Sequence, residues 1–342
     1  MYALNLFYDW FEGVKMIEKL VKEHYDFEIC KYTKLSVGAG SNTYHLQAAD
    51  GNQFILKNAN VNEVNNPKNE PHLCEHLLGK GIPVSEFVPD IQGDYLWYFG
   101  EDIYHMQKFI SGINYDVHCA PDWLMLKMAQ MLGKIHTALS DYEDLPIGIG
   151  ENFFKYMTPQ AALASYRKSL EYIIANGYKD LVDDLEYRIN LMSHFEVPEI
   201  DLSKLTKKPT HGDFFISQLI CKDEKIAGVI DWTTACIHPI VWEIIRSFVY
   251  GSPASKDGII EISHLVEYTK NYLKYASLNE YDLKMMPYVF YYQISVCDYY
   301  NQYFQSGAAN RYIYLDQAVL STKMMKWFEK NAAELSEELN KI

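Results

Sequence analysis

Two neighbouring segments are the most informative part of this 342-residue chain. They read Thr210-His211-Gly212-Asp213-Phe214-Phe215-Ile216-Ser217-Gln218 and, after a short β-like stretch, Val229-Ile230-Asp231-Trp232. The first carboxylate is followed five residues later by an amide side chain, and the second carboxylate ends an apolar strand. Apolar strands on both sides of the intervening hairpin would hold these polar groups rigidly in one cleft. The spacing therefore predicts a single site built from Asp213, Gln218 and Asp231.

Phosphoryl transfer to a hydroxyl group is a reaction that needs these residue types. It requires an acceptor for the hydroxyl proton in line with the γ-phosphate, and oxygen ligands that hold Mg²⁺ against the phosphate oxygens. Asp213 can take the first role. The amide oxygen of Gln218 and the carboxylate of Asp231 can take the second. The two segments thus predict a catalytic Asp213 and a magnesium site at Gln218 and Asp231.

A glycine-bearing turn and a strand-terminal lysine lie upstream, in the order that a nucleotide site requires. Backbone N–H groups of such a turn can lie over phosphates, which makes Gly38, Gly40, Ser41 and Asn42 candidate nucleotide contacts. Lys57 ends an apolar strand and can reach the α- and β-phosphates. The turn and the lysine together predict the phosphate-binding part of the site.

A helical glutamate and a connecting segment complete the predicted nucleotide site. Glu70 can fix Lys57 by an ion pair, and Glu63 and Glu75 are the alternatives to it. Residues 106–110 connect the β-rich and helical regions, and their backbone groups can bind a purine ring. The candidate contacts in this segment are Gln107 and Phe109.

The hydrophobic patterns divide the chain into a β-rich nucleotide-binding lobe, 1–107, and a mostly helical catalytic and acceptor-binding lobe, 108–342. In the first lobe they predict helices over Asn5–Glu23 and Glu70–Leu78 and strands over Glu28–Ser36, Asn42–Gln47, Gln53–Leu56, Asp94–Phe99 and Ile103–Ile110. In the second lobe they predict strands over Gln218–Cys221 and Ile226–Ile230 and helices over Asp122–Leu139, Pro159–Ala175, Asp180–His194, Val241–Tyr250, Ile259–Tyr275, Leu283–Phe304 and Tyr314–Leu339. The fold class is therefore α+β.

The amino-acid composition limits the classes of partner that the protein is expected to have. The chain has 31 basic and 45 acidic residues, a formal net charge of −14 and 49% apolar residues. Such a balance disfavours a nucleic-acid partner, since binding to a phosphate backbone depends on clustered Lys and Arg. The chain has neither an apolar run of membrane-spanning length nor an N-terminal secretory pattern, and its six scattered cysteines are typical of reduced, buried thiols. We therefore expect a cytoplasmic protein without a membrane or nucleic-acid partner.

At these residues the sequence resembles the aminoglycoside phosphotransferase/choline kinase-like family, which has a protein-kinase-like fold. The resemblance covers most of the chain. It implies a two-lobed fold with a small antiparallel β-rich N-lobe, and a reaction between ATP, or GTP, and a small-molecule hydroxyl acceptor such as an aminoglycoside, an amino alcohol, homoserine or a sugar. It implies that Asp213 is the catalytic base, that Asp231 binds Mg²⁺ and that Lys57 contacts the ATP phosphates.

The chain departs from the family pattern at two positions, which keeps an alternative open. The family usually has Asn where Gln218 stands, and Glu243 replaces an aspartate one residue later than usual. These departures allow a second hypothesis, a nucleotide-binding pseudokinase with a scaffolding or regulatory role. A protein kinase is disfavoured, because Gly212 stands where its catalytic loop has Arg and because Asp231-Trp232-Thr233 replaces its D-F-G triplet.

Several further polar and aromatic residues have a structural interpretation and a functional one. His136 is expected to be a packing residue and His211 to hold the loop before Asp213 by hydrogen bonds. The tyrosine-rich stretches around Tyr288–Tyr292 and Tyr299–Phe304 favour packing over ligand stacking, and Asp298 beside them is a candidate acceptor contact.

Overall fold

The computed structural model describes residues 16–35, 42–59, 67–100, 102–305 and 311–342. The chain forms two compact units. The first comprises Met1–Gly112 together with Ala227–Thr233, and the second comprises Ile113–Ile226 and Thr234–Ile342. The first unit thus reaches five residues beyond the predicted boundary at 107 and takes in a later segment that carries Asp231.

The first unit is built around an antiparallel sheet. Its strands follow the order β1-β2-β3-β6-β4, and β5 pairs with β6. They are β1 (Ile29–Leu35), β2 (Thr43–Ala48), β3 (Gln53–Ala59), β4 (Phe87–Val88), β5 (Trp97–Phe99) and β6 (Asp102–Lys108). Two helices belong to this unit, α1 over residues 16–25 and α2 (Asn69–Gly79).

The core of the first unit lies between α1 and the sheet. Buried side chains of α1 meet buried side chains of the strands: Ile17, Leu20, Val21, Leu46, Leu56, Trp97, Tyr104 and Met106. Apolar residues of α1 recur at positions i, i+3 and i+4, as a helix with one buried face requires. The segment around Val229 joins this unit because its N–H donates to the Pro83 carbonyl at 2.8 Å.

The second unit is mostly helical, with two small strand pairs. Strand β7 (Lys207–Thr210) pairs antiparallel with β10 (Cys236–Pro239), and β8 (Leu219–Lys222) pairs with β9 (Lys225–Val229), whose last residues belong to the first unit. The loop between β8 and β9 has only two residues, Asp223 and Glu224, both with positive φ. This is the geometry of a type I′ turn, whose twist matches that of paired strands.

Three helices of the second unit, α3, α8 and α9, pack against α7, nearly all of whose residues are buried. Helix α9 packs against α11 and α7, and α3 packs against α7 and α8. The helices are α3 (Asp122–Ala138), α4 (Glu151–Tyr156), α5 (Pro159–Asn176), α6 (Val182–Ser193), α7 (Ile240–Gly251), α8 (Ile262–Tyr272), α9 (Glu280–Val296), α10 (Tyr299–Gln305) and α11 (Tyr312–Leu339).

The structure confirms the predicted α+β class and corrects several elements. The helix predicted over Leu283–Phe304 is two helices, α9 and α10, because the chain turns at Cys297 and Asp298. Strands β4, β7 and β10 and helix α4 were not predicted. Each is six residues or fewer, which is too short for a periodic pattern to be read.

The structure also bears on the cysteines and on the length and apolarity of the helices. All six cysteines are free thiols, although Cys30 and Cys119 are exposed and not buried as expected. Within the described ranges, no helix combines the length and the apolarity needed to cross a bilayer.

Candidate active site

Strand β3 brings Lys57 to Asp231 within the first unit. The Lys57 ammonium donates to Asp231 Oδ1 at 2.7 Å, with 12% of the lysine side chain and 40% of the aspartate side chain exposed. The aliphatic part of the Lys57 side chain is buried, and its ammonium group is paired with the Asp231 carboxylate, as a buried charge requires. The contact joins two of the residues that the sequence predicts to handle phosphates and metal.

The backbone around Asp231 is unusual and is held by side chains of the same unit. Asp231 has φ +65°, a left-handed conformation that Asp tolerates better than most residues. Its Oδ1 also accepts a hydrogen bond from the Thr233 hydroxyl at 3.0 Å, and the next N–H, of Trp232, donates to Glu70 Oε1 at 3.2 Å. Helix α2 thereby fixes the segment that presents the Asp231 carboxylate.

Two buried titratable groups lie beside this cluster. Burial raises the pKa of the Cys74 thiol well above its usual value, Glu70 raises it further, and Lys57 lowers it. Burial and then the Lys57 charge lower the pKa of His105 to about 3, against a smaller opposing effect of Asp231. Glu70 and Lys57 therefore act on the same buried thiol. Their direct ion pair stays a prediction.

The remaining predicted nucleotide contacts are distributed as follows. Gly38, Gly40, Ser41 and the alternative Glu63 lie outside the described residues, and Asn42 is exposed at the entry to β2. Gln107 is buried on β6, paired with Ile55 and Phe87. The N–H of Phe109 donates to the Gln53 carbonyl at 3.0 Å. That N–H is thus bonded within the sheet of the first unit, and a contact between Phe109 and a purine ring stays a prediction.

The loop that carries Asp213 is shaped by its own backbone in the second unit. Gly212 has φ +79°, and a Cβ there would collide with the Thr234 carbonyl oxygen. The Asp213 N–H donates to His211 Nδ1 at 3.3 Å, and the Thr234 hydroxyl donates to the His211 carbonyl at 3.2 Å. These bonds confirm that His211 holds the loop.

Both carboxylate oxygens of Asp213 have partners in the second unit. Arg246 Nη2 lies 2.5 Å from Oδ1, and Gln218 Nε2 donates to Oδ2 at 3.3 Å. The Asp213 side chain is 29% exposed, so it remains open to a ligand. Gln218 thus contacts the predicted base through its amide nitrogen, a contact that the sequence did not predict.

A buried pair stands behind this loop. His136 Nε2 and Glu243 Oε2 lie 2.8 Å apart, both side chains are fully buried, and Glu243 Oε1 accepts a hydrogen bond from the Phe214 N–H at 3.4 Å. Burial opposes ionisation of Glu243, but His136 and the neighbouring His238 and His211 outweigh it and lower its pKa to about 2. Glu243 therefore supports the loop that carries Asp213 from inside, and His136 is a packing residue, as expected.

The oxygen groups present suit a magnesium ion held mainly by phosphates. Mg²⁺ is commonly bound by one or two protein oxygens and by substrate phosphates. Asp231 is partly exposed, and no described residue donates a hydrogen bond to Gln218 Oε1. Among the described residues, no cluster of three or more His, Cys, Asp or Glu side chains forms a complete metal site. Each unit thus offers an oxygen atom of the kind that binds a metal arriving with a nucleotide, and the binding of one ion by Asp231 and Gln218 stays a prediction.

The sequence analysis did not identify Arg246, which contacts Asp213 in the second unit, or His105, which lies near Lys57 in the first unit, and it left Asp298 as a candidate. Arg246 and His105 lie on elements whose apolar patterns indicated only packing. The spacing of four residues between Trp242, Arg246 and Tyr250 on α7 was the available signal for Arg246. Asp298 is 9% exposed and accepts the Asn301 N–H at 2.9 Å, so it caps α10, and its contact with an acceptor stays a prediction.

A family model and several solved structures match this chain. The family model described as "Phosphotransferase enzyme family" matches residues 31–274. Search among curated protein sequences finds no match. Solved structures with the same fold include amicoumacin kinase hAmiN in complex with AMP-PNP, Ca²⁺ and Ami (13% identity, 92% of this chain and 93% of that chain, TM-score 0.61).

Two further solved structures have similar TM-scores. One is a microcompartment-associated aminopropanol kinase (12% identity, 94% of this chain and 98% of that chain, TM-score 0.60). The other is spectinomycin phosphotransferase APH(9)-Ia in complex with ADP and spectinomycin (14% identity, 96% and 98%, TM-score 0.56). These likenesses show a kinase-like fold, and the family match extends over most of the chain. The chain belongs to the phosphotransferase enzyme family.

Proposed function

We propose that this enzyme transfers the γ-phosphoryl group of ATP, with Mg²⁺, to a hydroxyl group of a small molecule. The contact between Lys57 and Asp231 carries the proposal, because it pairs a cation suited to phosphate with a carboxylate suited to the metal. These residues are far apart in sequence, and their position at one point of the first unit has no evident packing role. GTP is the alternative donor.

The proposed chemistry assigns each side chain one task. Asp213 accepts a hydrogen bond from the acceptor hydroxyl, orients its oxygen and takes the proton as transfer proceeds. Lys57 binds the phosphates, and Asp231, together with the amide oxygen of Gln218, holds Mg²⁺. The metal, when bound, neutralises charge on the phosphate oxygens. Positioning and charge neutralisation are the main contributions that proteins make to phosphoryl transfer.

The acceptor is proposed only as a class. The similar structures are named for amicoumacin, spectinomycin and aminopropanol, which differ greatly in size. Aminoglycosides, amino alcohols, homoserine and sugars therefore form the first test panel, followed by a screen of metabolites for an ATP-dependent gain of mass.

Replacement of the base tests the proposal. We expect the wild type to form ADP and a phosphorylated product with at least one acceptor, and Asp213→Asn to lower kcat by about 1,000-fold while thermal stabilisation by MgATP persists. Asp316→Asn, at an exposed position on α11, is the matched control. Turnover that survives Asp213→Asn would refute the assigned mechanism. Nucleotide binding without transfer to any acceptor would favour the pseudokinase hypothesis.

A further inference from the structure

We propose that Arg246 of α7 is a positioning residue, which holds the Asp213 carboxylate in its reactive orientation from within a cage of three aromatic rings. The inference rests on the proposed function, since it treats Asp213 as the base. It assigns a role to a residue that the catalytic tasks above do not use. All the groups involved belong to the second unit.

The carboxylate of Asp213 is held at both oxygens. Arg246 Nη2 lies 2.5 Å from Oδ1, and Gln218 Nε2 donates to Oδ2 at 3.3 Å. A carboxylate bonded at only one oxygen can turn about its Cβ–Cγ bond, whereas two partners on different elements restrict that rotation. The shorter contact is charge-assisted, so Arg246 makes the stronger of the two.

Three aromatic rings fix the guanidinium in turn. Its central carbon lies 4.8 Å from the ring centroid of Tyr250, 5.0 Å from that of Phe215 and 5.3 Å from that of Trp242. Trp242, Arg246 and Tyr250 are spaced four residues apart on α7, so they share one face of the helix. Planar guanidinium groups stack on rings in this way, and an ammonium group does not.

The cage itself is anchored. The indole N–H of Trp242 donates to Gln293 Oε1 at 3.3 Å, and the hydroxyl of Tyr250 donates to Gln317 Oε1 at 2.5 Å. These amides belong to α9 and α11. Two of the three rings that surround Arg246 are therefore tied to neighbouring helices, which restricts the guanidinium beside Asp213.

Packing alone does not explain an arginine at this position. The side chain is only 16% exposed, and its Nη1 has no hydrogen-bond partner among the described residues. A buried donor without a partner costs free energy that an apolar side chain at the same place would avoid. The contact with Asp213 is the feature that offsets this cost. We infer that the arginine serves the base and does not serve the fold.

Kinetic measurements on Arg246→Met and Arg246→Lys, with an acceptor found in the screen, test this role. We expect Arg246→Met to lower kcat by about 100-fold, the loss that misplacement of a reacting group by about 1 Å produces, with the KM for ATP close to that of the wild type. Lysine keeps the charge without the planar fork, so an intermediate kcat is expected. Arg167→Met, exposed on α5, is the matched control.

Chemical rescue separates positioning from support of the fold. In Arg246→Ala, added methylguanidinium should restore part of kcat, whereas methylammonium at the same concentration should not. A structural role alone would give no such selectivity. Unchanged kcat in Arg246→Met, or a loss of kcat that no guanidinium compound relieves in a variant with wild-type melting temperature, would overturn the proposal.

A crystal structure of Arg246→Met decides the question even if no acceptor is found. The proposal expects the Asp213 carboxylate to turn away from its wild-type position while Gln218 and the backbone stay in place. A carboxylate that keeps its orientation would overturn the inference. Absence of transfer by the wild type would instead count against the proposed function, so the two failures are distinguishable.

Discussion

Gly212 shows how a single residue sets the geometry of the loop that carries Asp213. Its φ of +79° lies in the left-handed region, and the carbonyl oxygen of Thr234 occupies the space where a Cβ would stand. Gly177, at the end of α5, has the same φ of +79° but nothing within 4 Å of a built Cβ. The pair therefore separates the cost of backbone conformation from the cost of a steric clash.

We expect Gly212→Ala to lower the free energy of unfolding by more than about 4 kcal/mol, a loss that single substitutions seldom reach. Gly177→Ala, the control, should cost about 1–2 kcal/mol, the usual penalty of a left-handed alanine. Urea unfolding measures both. Equal losses in the two variants would contradict the steric explanation.

The sequence offered candidate polar residues, whose roles stay predictions, but not the side chains that support them. Lys57 and Asp231 were chosen as candidates because phosphate chemistry demands a cation and a carboxylate in a given order, and the structure places them in contact. The contact between Arg246 and Asp213 could not be read in the same way, because it depends on how α7 packs beside the loop. The bonding of the Phe109 N–H to Gln53 likewise depends on strand register and not on residue type.

The start of α9 shows how one element is anchored to another. Asn279 and Asp282 form a capping box in which Asn279 Oδ1 accepts the Asp282 N–H at 2.8 Å and Asp282 Oδ2 accepts the Asn279 N–H at 2.9 Å. The same Asp282 accepts the N–H of Thr206 at 2.8 Å, and Asn279 Nδ2 donates to the Lys204 carbonyl at 3.0 Å. The cap thus also holds the segment that leads into β7.

We expect Asn279→Ala to lower the free energy of unfolding by about 2 kcal/mol, at the upper end of the range for N-cap residues. Thr158→Ala removes the simpler cap of α5, where the hydroxyl accepts only the Ala161 N–H at 3.1 Å, and should cost about 1 kcal/mol. Asn279→Asp keeps the oxygen that accepts the Asp282 N–H and loses the amide donor, so its loss of stability should lie between those of Thr158→Ala and Asn279→Ala. A ranking with Thr158→Ala as the most damaging change would disprove this account.

Prediction of elements succeeded where a pattern was long. The capping residues and periodicity of α5 and α11 placed both helices to within about two residues. The break between α9 and α10 was not predicted, because apolar and aromatic residues lie on both sides of Cys297 and Asp298. The helical backbone is nevertheless interrupted at these two residues. Strands β7 and β10 are stabilised by pairing with each other, and no local sequence pattern indicates a partner so far away in the sequence.

At the scale of the whole molecule, the chain distributes buried histidines between its two units. His105 is fully buried in the first unit, and His238 is 2% exposed in the second. Burial and Lys57 lower the pKa of His105 to about 3. Burial, together with His136 and Arg246, lowers the pKa of His238 to about 4 against an opposing effect of Glu243. Both rings are neutral in the folded protein well below the pH at which they would titrate in the unfolded chain.

This difference predicts that acid destabilises the protein between about pH 6.5 and pH 4. In that range the unfolded chain binds protons at both histidines and the folded protein does not, so the free energy of unfolding falls as the pH falls. For His105 alone the loss between pH 6.5 and pH 4.5 is about 2 kcal/mol, because the unfolded ring is already half protonated at pH 6.5. Below about pH 4.5, protonation of unfolded Glu243, whose folded pKa is about 2, adds to the loss.

His105→Leu tests the prediction, because it removes the ring and leaves a buried apolar side chain. The ring nitrogens of His105 have no hydrogen-bond partner among the described residues, so the substitution should leave stability at pH 7 unchanged or higher. Urea unfolding at several pH values should show a weaker loss of stability between pH 6.5 and pH 4.5 than in the wild type. His72→Leu, at a site where 67% of the side chain is exposed, is the matched control. If His105→Leu and the wild type lose stability equally over this range, the acid sensitivity does not arise from the buried ring beside Lys57, and the environment described for it is wrong.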